Sequence, residues 1–152
     1  MCYDVHMCAR DAKPRSTARG VRLPSALDVA IQREADARGS TWSALTNELL
    51  DEAIRQRRAP GITFVDGVTG RRAVLAGTGL DVWEIIQTWQ DTGEDLARTH
   101  ETFDRLSELQ VRAALGYYLL YPDEIDRRLT REEAWTSERL KRELPYAVPR
   151  PD

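Results

Sequence analysis

The stretch Ala18–Arg58, ARGVRLPSALDVAIQREADARGSTWSALTNELLDEAIRQRR, decides how this chain is read. Val21 and Leu23 alternate with Arg22, so a short strand here has one apolar face and one face presenting a guanidinium. Pro24 stops the ladder and Ser25 is placed to cap an incoming helix. Leu27, Ala30, Ile31 and Ala35 then recur at helical spacing, with Gln32, Arg33 and Asp36 outward. Gly39 follows Arg38 as a stop signal, and Thr41 is the expected N-cap of a second helix whose inward stripe is Leu45, Leu49, Ala53 and Ile54, with Leu50 on its flank. A lone strand cannot satisfy its own edges, and two helices of this length enclose a thin core. The pattern therefore predicts a homodimer paired through the N-terminal strand.

Outward from this segment, charge divides the 152 residues. Residues 1–60 hold 10 Lys+Arg against 8 Asp+Glu, whereas residues 61–152 hold 12 against 17. Arg10, Lys13, Arg15, Arg19 and Arg22 face a single acid, Asp11, over the first approach to the strand. Such an arm suits a polyanion, although the acidic remainder opposes strong non-specific affinity for DNA. Residues 1–16 read as a flexible arm. Its Cys2, His6 and Cys8 are too few for a defined metal site and read as reduced thiols beside a histidine. No cofactor is expected. No apolar run is long enough to cross a membrane and no leader pattern opens the chain, so a cytoplasmic location without membrane attachment is the expectation.

Gly20-Val21-Arg22-Leu23-Pro24, the Leu27/Ile31 face and Gly39-Ser40-Thr41-Trp42-Ser43-Ala44-Leu45 resemble the ribbon-helix-helix family of DNA-binding proteins. The resemblance implies that two chains pair their strands into a ribbon that enters the major groove, where alternate side chains read base edges. Carried onto this sequence, the reading positions are Ala18, Gly20 and Arg22, supported by Arg15 and Arg19. Phosphate is held at the start of the second helix by Thr41, Trp42 and Ser43. Gly20 brings no side chain, and Arg19 falls where the family usually has an apolar residue. Arg22 alone can grip guanine bidentately. The plainer alternative is a helical hairpin with solvated arginines.

Arg57-Arg58-Ala59-Pro60-Gly61 is a boundary signal. Beyond it, residues 62–65 and 72–75 read as two short strands, and 77–80 as a loop. Asp81 with Glu84 forms a capping-box pattern opening a helix striped with Val82, Ile85, Ile86 and Trp89. Thr92-Gly93 breaks that helix, and a short one is expected from Glu94 to about Arg98. Ser107 with Gln110 opens a longer helix carrying Val111, Ala114, Leu115, Tyr118 and Leu119. Pro122 ends it, and a short turn is expected at Asp123-Glu124-Ile125. Thr130 and Glu133 form a further capping pattern for a helix toward Leu144, followed by Pro145, Pro149 and Pro151.

Residues 69–82 and the stretch from Leu106 through Ala113-Ala114-Leu115-Gly116-Tyr117-Tyr118 resemble a bacterial family, domain of unknown function 433, which is related to certain antitoxins and has a helix-turn-helix-like fold. Ala73, Gly79, Asp81 and Ser107 depart from its usual residues. The loss of a basic residue at 79 weakens any polyanion contact there.

The expected fold is mainly α: a flexible arm (1–16), a ribbon-helix-helix domain (17–58), a small helix-turn-helix-like domain with a β-hairpin (62–129), and a C-terminal helix with a proline-rich tail (130–152). Catalysis is not expected. Gly77-x-Gly79 is too short for a dinucleotide loop, and Ser107, His100 and Asp104 lack the elbow that presents a nucleophile. His100 reads as a solvated residue near a helix end. The tail either packs on its own domain or offers Trp135, Leu140 and Leu144 to a partner. The two resemblances together imply the antitoxin of a toxin–antitoxin pair that represses its own operator DNA, and the resemblance to the domain of unknown function 433 family implies a PIN-like ribonuclease as the toxin it neutralises. The alternatives are a stand-alone dimeric regulator and an interaction protein whose ribbon serves only to dimerise it.

Overall fold

The computed structural model describes residues 19–67, 70–134 and 142. Among them the helices are α1 (Ser25–Ala37), α2 (Trp42–Arg58), α3 (Val82–Asp91), α4 (Leu96–Thr102), α5 (Glu108–Leu120) and α6 (Pro122–Glu133). The strands β1 (Ile62–Gly67) and β2 (Gly70–Leu75) lie between α2 and α3. The chain divides into two compact units between Leu45 and Thr46, inside α2. The Pro60-Gly61 punctuation falls within the second unit.

In the first unit, residues 19–23 take part in no β-pairing among the described residues. The strand expected at Val21–Leu23 is therefore not formed in the single chain, because an edge needs a second strand to bond. Ser25 is the first helical residue and not the cap. Pro24 occupies the N-cap position, and its carbonyl accepts from the Leu27 and Asp28 amides at 3.0 and 3.1 Å. α1 ends as the sequence predicts. Gly39 adopts φ +61°, the Ser40 amide donates to Ala35 O at 2.9 Å, and the Gly39 amide donates to Asp36 O at 3.2 Å. Ile31, Ala35 and Leu45 form a small core flanked by Leu23 and Trp42.

The second unit is built on a hairpin in the register Ile62↔Leu75 through Gly67↔Gly70. The turn after it is closed by Thr78, whose hydroxyl donates to Leu75 O at 3.0 Å and accepts from the Leu80 amide at 3.1 Å. That turn delivers the chain to Asp81, where the Glu84 carboxylate accepts the Asp81 amide at 2.9 Å and the capping box opens α3. Val82, Ile85 and Ile86 are buried, as the stripe predicts, against Ile62, Leu75, Val111, Ala114, Tyr117 and Ile125. The Ser107–Gln110 capping box opens α5 in the same way.

Three sequence expectations are corrected. The short helix expected from Glu94 starts later, at Leu96, because Asp95 is the better cap and its Oδ1 accepts from the Ala97 and Arg98 amides. The turn expected at Asp123-Glu124-Ile125 is the first turn of a twelve-residue helix, α6, with Pro122 at its N1 position. Thr130 and Glu133 consequently lie in the last turn of α6 and do not open a new helix. Ile125 and Leu129, one turn apart on that helix, complete the core.

Candidate functional site

Of the residues assigned to DNA reading, Ala18 and Arg15 lie outside the described residues. Arg19, Gly20 and Arg22 are exposed and precede α1 in irregular backbone. Thr41 caps α2 through its hydroxyl, which accepts from the Ala44 amide at 3.2 Å, and Ser43 is exposed beside it. Trp42 is half-buried and packs on the small core of the first unit. The partner-binding residues Trp135, Leu140 and Leu144 lie outside the described residues, as do Cys2, His6 and Cys8.

The apolar stripes of the first two helices are only partly covered. Ile31, Ala35 and Leu45 are buried, yet Leu27 is 47% exposed, Leu49 41%, Ile54 50% and Val21 76%. Ala30 and Ala53 are exposed as well. These residues were expected inward, and in a single chain they face water. In the first unit the shortfall follows from element size, since α1 and the opening turn of α2 cannot enclose the α1 stripe.

In the second unit the polar groups concentrate at two places the sequence reading missed. The first is a clasp around Tyr117, a fully buried side chain on α5. Its hydroxyl donates to the Glu124 carboxylate of α6 at 3.1 Å and accepts from Arg55 Nη1 of α2 at 3.1 Å. Arg55 also pairs with Glu124 directly and with Asp51 at 2.7 Å, and its guanidinium lies 4.8 Å from the Tyr121 ring centroid. Burial pushes the Tyr117 hydroxyl well above its ordinary pKa; the Arg55 bond opposes that shift and the Glu124 charge adds to it. For Arg55, burial works against the charge, but the Tyr117 bond and Glu124 outweigh it and hold the guanidinium more firmly protonated.

The second place is the flank of β2. Arg71 forms a two-pronged pair with Glu52 of α2, both contacts at 2.7 Å, and reaches Asp66 at 3.2 Å. Arg72 donates to Asp81 Oδ2 at 2.9 Å, and the same oxygen accepts from Trp83 Nε1 at 2.8 Å. Asp81 is only 2% exposed, so Arg72 and the indole neutralise and bond a carboxylate that would otherwise be costly to bury. Arg128 of α6 lies over the Trp83 ring at 5.4 Å. The sequence signal for this flank is the basic spacing Arg127, Arg128 and Arg131, which falls on α6 just past the turn expected at Asp123-Glu124-Ile125.

Two members of the imagined Ser107–His100–Asp104 group, His100 and Ser107, are engaged elsewhere. His100 is half-buried and not simply solvated, with Nε2 2.7 Å from Leu106 O, while Ser107 Oγ accepts the Gln110 amide at 3.3 Å. Among the described residues no group of three metal-binding side chains occurs, and no helix is long and apolar enough to cross a membrane.

This hairpin and the helices packed on it carry a family signature. Residues 62–118 match the model for the family described as protein of unknown function, DUF433. No curated protein and no solved structure matches the chain. The matched stretch thus runs from the first residue of β1 to Tyr118 in α5. It includes the Thr78 turn, both capping boxes and Tyr117, and stops short of Glu124 and α6.

Proposed function

We propose that this chain is a dimeric DNA-binding antitoxin that represses its own operator and neutralises a PIN-like ribonuclease toxin through its C-terminal half. The observation that carries the dimeric DNA-binding part is the set of uncovered apolar side chains that each unit presents by itself. Val21, Leu27, Leu49 and Ile54 are exposed in one chain although their spacing is that of core positions. A second copy would cover them and supply the missing strand, giving a two-stranded ribbon whose outward face carries Arg22. The cap of α2 at Thr41 then offers backbone amides for phosphate. Support for the toxin arm comes from the resemblance of residues 62–118 to an antitoxin-related family; Trp135, Leu140 and Leu144, which lie outside the described residues, would be its binding element.

The DNA arm is tested by titrating operator DNA with parent protein and with Arg22→Ala over a salt series. The variant is expected to lose roughly 1–3 kcal/mol of discrimination at one base position. Equal affinity and equal selectivity for both proteins would overturn it. The toxin arm is tested by purifying the tagged chain from its native cells. A small nuclease-like protein in stoichiometric amount supports it, whereas recovery of the chain with DNA alone favours the stand-alone regulator.

A further inference from the structure

A cleft of about 230 Å³ opens between β2 and α6, walled by Trp83. Five arginines line it, Arg71, Arg72, Arg127, Arg128 and Arg131, against one carboxylate, Glu124. Their local partners differ. Glu124 is taken by Arg55 and Tyr117. Arg71 is neutralised by Glu52 and Asp66, and Arg72 is anchored by Asp81. Arg128 pairs with Glu132 at 2.8 Å while lying on Trp83. Arg127 and Arg131 form no ion pair among the described residues and are exposed. They stand one helical turn apart, so both guanidiniums project from the same side of α6.

An otherwise acidic half thus places five of its twelve basic residues around one concave place, where two arginine forks have no ion pair among the described residues and three more are held still. Buried and neighbouring carboxylates fix Arg71, Arg72 and Arg128 in place, which lowers the ordering cost of gripping an anion. Planar forks on a rigid helix suit tetrahedral phosphate oxygens better than a mobile acidic peptide. From this we infer that the cleft is a phosphodiester-binding site, through which the second unit contacts the backbone of duplex DNA without reading its sequence. The inference deepens the DNA-binding reading but does not depend on Arg22.

The test is fluorescence anisotropy of the full chain with a labelled duplex of arbitrary sequence, across a salt series. Each phosphate contact contributes about 0.9 to the slope of log K against log salt. Arg127→Gln with Arg131→Gln should reduce that slope by about 1.8 and weaken binding equally for unrelated sequences. Arg127→Lys with Arg131→Lys should restore most of the slope, which a folding defect would not allow. Circular dichroism checks that both double variants keep the parent's helix content. An unchanged slope and affinity in the glutamine variant overturns the inference, as does a parent that binds no duplex at low salt. An equal loss of binding to polyglutamate with none to DNA would assign the cleft to an acidic protein and also overturn it. Arg22→Ala run alongside separates the two readings. Loss only with Arg22 leaves the N-terminal reading alone standing, and loss only with Arg127 and Arg131 leaves the cleft alone standing.

Discussion

Arg55 on α2 and Glu124 on α6, 69 positions apart in sequence, are ion-paired around the buried Tyr117 hydroxyl. This one arginine ties the end of the second helix to α5 and α6. Arg55→Ala leaves Glu124 and Tyr117 without their cation and removes the guanidinium from the Tyr121 ring. The expected cost is about 2 kcal/mol, seen as a lower urea midpoint with an unchanged slope. Glu124→Gln, which keeps a hydrogen-bond acceptor for Tyr117, should cost less. A loss below a few tenths of a kcal/mol for Arg55→Ala would show that the clasp is energetically idle.

Tyr117 gives the fold a pH signature. Its folded-state pKa lies above the unfolded value of about 10, so the folded chain keeps a proton that the unfolded chain gives up. Its contribution is complete below pH about 10 and declines as pH rises from there toward the folded pKa. Chemical denaturation at rising alkaline pH should show stability falling in the parent, with a shallower fall in Tyr117→Phe. Parallel curves for the two proteins would contradict the assignment.

Gly61 joins α2 to β1 at φ +92°, and a Cβ placed there would come 3.3 Å from the Ala113 methyl on α5. Backbone strain and this close approach act together. Gly61→Ala should therefore destabilise the second unit by about 1–3 kcal/mol. A melting temperature equal to the parent's would mean that the linker relaxes at no cost.

The exposed stripe makes a prediction about assembly. Leu27→Glu and Ile54→Glu change side chains that are half in water in the single chain, so neither should unfold it. Each should turn a dimer into a monomer in sedimentation equilibrium while helix content stays the same. A parent that sediments as a monomer at every concentration would remove the basis for the ribbon.

What the sequence made legible was local chemistry. The glycine stop at Gly39, the caps at Thr41, Asp81 and Ser107, and the hairpin from Ile62 to Leu75 depend on neighbours within a few positions. The Val82-Ile85-Ile86 stripe was legible because a helix of one clear period must bury it. What escaped depends on distance. Tyr117 looked like a neighbour of the expected core residue Tyr118. Only the arrival of Arg55 and Glu124 from other helices makes it the buried centre of a clasp. Asp123-Glu124-Ile125 reads as a short turn, not as the opening of α6, because nine of the helix's twelve residues are polar or charged. The helix's membership in the core rests on just Ile125 and Leu129.

The clasp also bears on inheritance. Residues 62–118 are the portion that family resemblance recognises, yet Glu52 and Arg55 precede it, and Glu124, Ile125 and Leu129 follow it. A gene fusion cut at the borders of the recognised segment would transplant a hairpin and helices stripped of their fastenings. A transplant that keeps these fastenings has to carry α6 and the latter part of α2 along with the matched stretch, so the unit that folds is longer than its signature.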